Sequence, residues 1–391
     1  MLDNIYEIFW DERWWFPNTV HGKHYGWKDL ENQTDSDIYY PKLSDLHWGF
    51  LLGVVLVFVR FIFERYLVTP LGYKLGIKKH RVPYLTPNPL LEAAYKQRKQ
   101  SPDYESLSKQ TDWSVRQVEV WFRKRKKHDA TPTIKKFCES SWQLLFYATS
   151  FIYGLSVLWH KPWFTRTTEW WTDWPLQHIS NDIYVYYIIE LAFYWGLIFT
   201  LVTDHRRSDF TQMMIHHSAT IVLLYFSWIG NMVRVGTIVL ILHDVADPWL
   251  AFAKLGIYLK WKTFTDVLFG IFVLSWLISR IFLLPYTVLY STTFEVLEII
   301  DAPYFANYFF NFFLYLLMGL TLIWTYHILM SVVIKFSQGE VKDSRSDIDD
   351  DSSEEIQESS NGSHGNGNTT NGSHRKHTNS TNGTMSNGVV T

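Results

Sequence analysis

Five ionisable residues lie within two consecutive apolar stretches of this 391-residue chain: His216, His217, His243, Asp244 and Asp247. An ionisable side chain inside a bilayer costs about 2.5–3.5 kcal/mol on insertion scales, so its presence there indicates a function. Imidazole can act as a general base or as a nucleophile, and a neighbouring carboxylate fixes its tautomer and stabilises its protonated form. We therefore predict a reactive centre in which these five are the candidate catalytic residues.

The spacing of these residues on two helices limits which of them can act together. Adjacent helical residues project about 100° apart, so only one of His216 and His217 can face a substrate while the other supports it or packs. On the next helix His243 and Asp247 are four residues apart and Asp244 and Asp247 three apart, so each pair shares a face. We expect the imidazoles and carboxylates to meet in a shared apolar cavity that opens toward the cytoplasm.

Two other kinds of catalytic site fit the sequence less well. His and Asp also ligate zinc or iron, but such a site needs three or four converging ligands, and the chain has a single adjacent histidine pair, so we expect no bound metal. A Ser/His/Asp triad would use Ser218 or Ser227, neither of which lies in a G-x-S-x-G turn. The single cysteine, Cys138, excludes an intramolecular disulfide and a cysteine-rich metal site.

The elements that carry these residues are predicted to be membrane helices. The chain is 47% hydrophobic and 18% aromatic, and its apolar residues arrive in long runs. A hydrocarbon core of about 30 Å needs about 20 helical residues, so the fold class is an all-α polytopic membrane protein with about seven transmembrane helices. Pro285 is expected to kink or end the sixth span. The predicted spans are residues 46–67, 142–159, 183–202, 210–228, 235–253, 264–290 and 304–336.

Basic residues predict the orientation of the chain in the membrane. Four Lys and Arg residues precede the first span, whereas sixteen lie in residues 68–141. Because cytoplasmic loops carry the excess of positive charge, the amino terminus is expected in the lumen and the carboxyl terminus in the cytosol. Four tryptophans of one luminal loop suit an interfacial belt: Trp163, Trp170, Trp171 and Trp174.

The chain divides into five predicted segments. They are a luminal amino-terminal segment, a first transmembrane helix, a cytosolic loop, a six-helix catalytic membrane domain and a disordered cytosolic tail. Their bounds are residues 1–45, 46–67, 68–141, 142–336 and 337–391. The tail is acidic and then low in complexity, which is typical of disorder.

The cytosolic loop contains a small helical, homeodomain-like insert. Val118, Trp121 and Phe122 recur at helical spacing and precede five basic residues, which resembles the third helix of a homeodomain. The asparagine that reads adenine in that fold is replaced by Lys124, and the region looks short for three complete helices. We therefore do not expect DNA as a partner, and favour contact of the basic face with anionic lipid or with acyl-CoA phosphates. The simpler explanation is that the positive charge of the loop reflects only the general excess of basic residues in cytoplasmic loops.

The sequence also offers sites for modification. Asn32 begins an N-x-T sequon in the luminal segment and is a predicted glycosylation site. Ser346, Ser352 and Ser353 precede acidic residues in the tail and suit an acid-directed kinase, although a purely solvating tail explains the same composition.

The region from Arg206 to Lys254 resembles the signature of the ceramide synthases, within the wider TLC-domain family. Two positions depart from the family pattern: Ser208 stands where Lys is usual, and Ala251 stands where Glu is common. The residues that carry the resemblance are Arg206, Arg207, Asp209, Phe210, His216, His217, Thr220, Ser227, Asn231, Arg234, Gly236, His243, Asp244, Asp247, Leu250 and Lys254.

The resemblance implies transfer of a fatty acyl group from acyl-CoA to the amine of a sphingoid base, giving ceramide or dihydroceramide in the endoplasmic reticulum membrane. Acyl-CoA is then a co-substrate, and no cofactor is expected. Sphinganine or sphingosine, membrane lipids and a homo- or heterodimer are the implied partners. Direct transfer and an acyl-histidine intermediate both remain open. The implied substrate-binding residues are Arg206, Arg207, Asn231, Arg234 and Lys254, and residues 291–303 resemble the family's determinant of acyl-chain length.

Proteins of other classes remain as alternatives. A non-catalytic lipid-sensing or chaperone protein on the same scaffold is favoured by Ala251 and opposed by the intact His and Asp set. A membrane-tethered transcription regulator would use the basic loop. A transporter fits the number of spans, but the spacing of the spans indicates no internal repeat.

Overall fold

The computed structural model describes residues 7–338, with short gaps at residues 8, 18, 21, 34–36, 81, 98–102, 202–203, 205–207 and 301–303. Arg206 and Arg207, predicted to bind substrate, lie outside the described residues. The acidic tail from residue 339 onward also lies outside them, together with the predicted phosphorylation sites Ser346, Ser352 and Ser353.

The described part of the chain is all-helical and contains no β-strand, which confirms the all-α part of the predicted fold class. Single helical turns occur at Glu12–Trp15, Trp27–Leu30, Pro162–Phe164 and Thr167–Trp170. The longer helices are α1 (Asp45–Lys74), α2 (Pro89–Lys96), α3 (Tyr104–Thr111), α4 (Val115–Asp129), α5 (Thr133–Leu158), α6 (Asn181–Leu201), α7 (Phe210–Ile229), α8 (Val233–Asp244), α9 (Asp247–Tyr258), α10 (Lys262–Glu298) and α11 (Phe305–Gln338).

Five helical segments of the described chain are long and apolar enough to cross a bilayer. They are α1, α6, the α8–α9 segment Val233–Tyr258, α10 and α11. The other two predicted spans, residues 142–159 and 210–228, coincide with α5 and α7, which are helical but fall outside that set. The molecule is a multi-pass membrane protein. We call the end where residues 159–180 lie the loop end, and the end from which α2–α4 depart the insert end.

Helices α1 and α6 lie against each other along their lengths. They approach closely at Gly53, where an added Cβ atom would stand 2.8 Å from the carbonyl oxygen of Ala192 and 2.8 Å from Cβ of Trp195. A small residue at a membrane-helix contact allows the two backbones to approach closely. The first helix, which precedes the predicted catalytic domain, is therefore packed onto that domain.

The segment Val233–Tyr258, which carries His243, is divided into the two helices α8 and α9. Helix α8 ends at Asp244, and α9 begins at Asp247 with Pro248 in its first turn. Proline is favoured in a first turn and lacks the N–H needed in a helix interior. His243 and Asp247 therefore do not lie on one continuous helix, and the expectation that they share a face is wrong.

Pro285 does not end α10. The helix continues to Glu298, with wide π-type turns over Leu277–Leu289 that accommodate the missing backbone donor. This run of wide turns begins three residues before Arg280, whose side chain contacts Asp247.

The loop end is closed by buried aromatic side chains. Trp170, Trp171 and Trp174 are each only 3% exposed and pack in one apolar cluster with Trp15 and Phe16 of the amino-terminal segment. The predicted interfacial belt is therefore wrong for these three tryptophans, because they pack inward against other aromatic rings. Together they form a cap over this end of the bundle.

The insert contains three short helices around a common core, although its length had suggested fewer. Helix α4 begins with a capping box between Ser114 and Gln117. Lys124 is exposed on this helix. The buried core residues are Leu91, Leu107, Val118, Trp121 and Phe122.

Candidate active site

Helices α7 and α8 bring two of the predicted imidazoles together. The ring centroids of His216 and His243 are 6.3 Å apart, and those of His216 and His217 are 5.5 Å apart. His216 also meets the edge of Trp324 from α11 at 5.3 Å. The two helices therefore meet as expected, at a depth of about two turns from the insert end of α7.

His216 and His243 line an apolar cavity with an empty volume of about 740 Å³ up to its open mouth. The cavity runs from the two histidines toward the loop end. Its lining residues are Trp171, Tyr187, Tyr194, His216, Thr220, Leu223, Leu224, Ser227, Met232, Val235, Gly236, Val239, Leu240, His243, Thr292, Tyr304, Asn307, Phe310, Leu314 and Leu317.

The backbone holds the imidazole of His243 in one orientation. Its Nδ1 atom lies 2.7 Å from the carbonyl oxygen of Val239. In the neutral ring Nδ1–H donates to that oxygen, which leaves the lone pair on Nε2. Among the described residues, neither Nε2 of His243 nor Nδ1 of His216 has a hydrogen-bond partner. Both nitrogens are thus free to act on a bound molecule.

His217 does not line the cavity. It is buried, and its ring packs against Tyr194 with centroids 5.8 Å apart. This agrees with the expectation that only one of the adjacent histidines faces the cavity, and it identifies His216 as that one.

Asp244 turns away from the cavity toward α5 and α6. Its Oδ2 atom lies 3.5 Å from Oγ of Ser150, and the same hydroxyl donates to the carboxylate of Glu190. Asp244 and Glu190 are each 1% exposed. Glu190 is absent from the sequence-based site, although it is the only acidic residue between Ile183 and Leu201 and could have been noticed for that reason.

Asp247 forms an ion pair with Arg280, a second residue that the sequence-based site lacks. The Arg280 Nη2 atom lies 2.9 Å from Oδ1 of Asp247 and also donates to the backbone carbonyl of His243. Its guanidinium stacks 4.1 Å from the ring centroid of Trp276. Arg280 therefore joins the two sides of the α8–α9 break. A lone arginine within the predicted span 264–290 was the available signal.

Asn231 and Arg234 serve the loop end. The Asn231 side-chain amide donates to the carbonyls of Pro175 and Gln177 at 2.6 and 2.8 Å, and its backbone is left-handed, with φ +52°. Arg234 donates to the carbonyl of Glu169 at 2.6 Å. These contacts hold residues 169–177 onto the turn between α7 and α8, so the structure gives both residues a role in supporting the cap.

The remaining predicted residues lie on α9. Lys254 is buried there and does not line the cavity. Ala251, where the family commonly has Glu, is also buried, on the helix that packs between α5 and α10. Within the described ranges, no three His, Cys, Asp or Glu side chains are grouped so that they could hold a metal ion.

The chain was then compared with known proteins. Residues 136–330 match the TLC-domain family. Human ceramide synthase 5 is 40% identical over 358 residues, which cover 90% of each chain. The chain belongs to the ceramide synthase family.

Other ceramide synthases agree with this assignment. Mouse ceramide synthase 3 is 38% identical over 352 residues, covering 89% of each chain, and bovine ceramide synthase 4 is 35% identical over 372 residues, covering 93% of each. The predicted family is confirmed. The TLC-domain match contains every residue that lines the cavity, whereas α1, the insert and the amino-terminal segment precede it.

Proposed function

We propose that the protein is an acyl-CoA-dependent N-acyltransferase that joins a fatty acyl chain to a sphingoid base and forms ceramide or dihydroceramide. One observation carries the proposal: in a chain of the ceramide synthase family, two imidazoles with free nitrogens stand at the end of a long apolar cavity. Such a cavity suits an alkyl chain, and the imidazoles suit the reacting thioester. Membership of a family of synthases, with the histidines intact, favours this over a non-catalytic lipid sensor.

The reaction needs a bond from nitrogen to the acyl carbon and loss of the bond from that carbon to sulfur. In direct transfer, His216 or His243 removes a proton from the attacking amine, and the departing CoA thiolate takes up a proton. In the two-step route an imidazole nitrogen first takes the acyl group and releases CoA, and the amine then displaces the imidazole. The free nitrogens of both rings support either route, and His217 supports the ring of His216 from behind.

The two buried carboxyl groups act on the site from a distance. Asp244, which directly follows His243 in the chain, and Glu190 share the hydroxyl of Ser150. Together they supply negative charge near the cationic amine and near any imidazolium that forms. Asp247 and Arg280 fix the backbone carbonyl of His243 and with it the position of the imidazole.

We infer that all seven predicted spans cross the endoplasmic reticulum membrane, with the amino terminus in the lumen and the carboxyl terminus in the cytosol. The charge of residues 68–141 supports this orientation. The loop end is then luminal, so the acyl chain points toward the lumen while CoA stays on the cytosolic side. Arg206 and Arg207 would attract its phosphates, and the homeodomain-like insert with Lys124 would face anionic lipid rather than DNA.

The orientation is tested through glycosylation. Asn32 is half-exposed and is the proposed luminal acceptor, whereas Asn361 and Asn382 begin sequons on the proposed cytosolic side. Asn32→Gln should raise gel mobility and remove sensitivity to an N-glycosidase. Glycosylation of Asn361 or Asn382, with no effect of Asn32→Gln, would reverse the orientation. Phosphorylation of Ser346, Ser352 and Ser353 is proposed for the same cytosolic tail.

The activity is tested with purified protein in liposomes, palmitoyl-CoA and isotope-labelled sphinganine, with mass spectrometry of the product. N-acyl sphinganine should form only when both substrates are present. His216→Ala and His243→Ala should each lower turnover by about 10²-fold or more. His327→Ala is the matched control, because this imidazole lies on α11 but is exposed on the outside of the bundle. Intact variants of both cavity histidines that keep wild-type turnover would contradict the proposal.

A further inference from the structure

The cavity is a slot that runs parallel to three helices. On α7 its lining extends from His216 to Ser227, and along α8 it extends back from His243 to Met232. Eleven residues separate the ends in both cases, so a rise of about 1.5 Å per residue gives a length of about 17 Å. Along α11 the lining begins at Tyr304 and ends 13 residues later, which corresponds to about 20 Å.

The far end of the slot has a floor of large side chains. Trp171, Met232 and Tyr304 line it there and are at most 8% exposed. The indole N–H of Trp171 donates to Oγ of Ser291 at 2.9 Å, which fixes the indole against α10. A chain that enters at the histidines therefore meets fixed aromatic rings before it reaches the luminal surface.

A second layer braces this floor. The ring of Tyr304 lies 5.8 Å from the ring of Trp174, and Trp174 stacks on Phe16 with centroids 6.4 Å apart. The indole N–H of Trp174 donates to the carbonyl of Gly230 at the turn between α7 and α8. Phe16 is 3% exposed and belongs to the amino-terminal segment, more than a hundred residues before the TLC-domain match.

We propose that this braced floor limits the acyl chain to about 14–16 carbons, since an extended chain of tetrahedral carbons advances about 1.3 Å per bond. The inference rests on the proposed function and assigns the class of acyl-CoA that the site accepts: long-chain and not very-long-chain. A chain of about 24 carbons needs about 29 Å when extended, which is about 9–12 Å longer than the slot. The floor makes Tyr304 a residue that determines specificity, and Phe16 a positioning residue behind it.

The first experiment measures kcat/KM of the full-length protein for saturated acyl-CoAs from lauroyl-CoA to hexacosanoyl-CoA, with sphinganine held constant. Myristoyl-CoA and palmitoyl-CoA should be preferred, and lignoceroyl-CoA should be at least about tenfold poorer, because even one excess methylene in a closed pocket is costly. A preference for lignoceroyl-CoA would overturn the length limit and leave the acyltransferase intact. Absence of product with every acyl-CoA would overturn the acyltransferase, and the length limit with it.

The second experiment removes the floor. Tyr304→Ala should raise the ratio of lignoceroyl to palmitoyl transfer about tenfold, whereas Tyr304→Phe keeps the ring and should leave the ratio unchanged. The ratio is the decisive readout, because general damage to the protein lowers both rates together. If Tyr304→Ala does not accumulate, Met232→Ala tests the same proposal, because Met232 is another residue of the floor. An unchanged ratio in both alanine variants would overturn the proposal.

The brace is tested in the same assay. Phe16→Ala should shift the ratio in the same direction as Tyr304→Ala but less, because Tyr304 stays in place with weaker support. Phe58→Ala is the control, since that ring is 66% exposed on α1. A loss of activity in Phe16→Ala with an unchanged ratio would contradict the positioning role of Phe16.

Discussion

Arg280 and Asp247 form a partly buried ion pair across the break between α8 and α9, with 2.9 Å between Nη2 and Oδ1. The same guanidinium donates to the backbone carbonyl of His243, so one side chain from α10 fixes both sides of the break. The position of the His243 imidazole on α8 thus depends on the guanidinium of Arg280, which comes from α10.

Arg280→Ala is expected to destabilise the protein, because it leaves the partly buried carboxylate of Asp247 and the backbone carbonyl of His243 without their partner. Breaking a fully buried pair costs about 3–5 kcal/mol, and the 20% exposure of the Asp247 side chain places the expected loss below that range. The measurement is thermal unfolding in detergent, followed by size exclusion. Lys335→Ala is the control: it breaks the more exposed pair with Asp266, at side-chain exposures of 22% and 32%, and should cost about 1 kcal/mol or less. Equal melting temperatures for both variants would contradict this account.

Glu190→Gln is expected to lower kcat by about tenfold or more while the protein accumulates normally. The amide keeps the shape and can still contact Ser150, but it cannot take up or release a proton beside Asp244 as the carboxyl group can. Glu119→Gln, at an exposed position of α4, is the matched control. A kcat at the wild-type value would mean that the ionisable group of Glu190 is without consequence for the reaction.

Gly53→Ala is expected to weaken the packing of α1 on α6. The added methyl would stand 2.8 Å from a backbone oxygen that cannot move aside, and such overpacking costs about 1–3 kcal/mol. Gly270→Ala is the comparison, since nothing lies within 4 Å of its added Cβ atom. Melting temperatures should fall for the first variant and not for the second; a fall in both would point to a general effect of alanine.

The insert is expected to lose stability in acid. The hydrogen bond from Arg125, at 2.9 Å from Nε to Oε2, holds the pKa of Glu92 below its ordinary value of 4.5. A depressed pKa in the folded state means that the ionised pair stabilises the insert above pH 4.5 and stops doing so as the pH falls through the lower, folded-state value.

Hydrogen exchange of α2 and α4 in the full-length protein measures this loss. The protection factors of these amides should fall below pH 4.5, and Glu92→Gln should flatten their dependence on pH. Glu105→Gln removes an exposed carboxylate of α3 and serves as the control. An equally steep acid response in Glu92→Gln would assign the effect to another group.

Much of the fold was predictable from sequence because apolar runs of membrane length are a local property. The helices that carry His216 and His243 were predicted from such runs. The divergence of adjacent side chains predicted that only one of His216 and His217 would face the cavity, without indicating which. The family could be predicted for the same reason, since its signature occupies one continuous stretch.

The partners of the charged residues could not be predicted, because they come from distant parts of the chain. Asp247 was assigned to its neighbour His243, but Pro248 starts a new helix and the carboxylate finds Arg280 instead. Glu190 and the inward-facing Trp174 likewise take their roles from contacts with other helices. Periodicity shows which face of a helix is apolar, whereas only the packed structure shows what stands opposite.

Phe16 lies outside the region by which the domain is recognised, yet its ring supports the bottom of the lipid pocket. Relatives that differ only near their amino termini could then discriminate between fatty acids differently while carrying the same active centre. Exchanging the TLC domains of two such enzymes would transfer the chemistry without transferring all of the selectivity for the fatty acid.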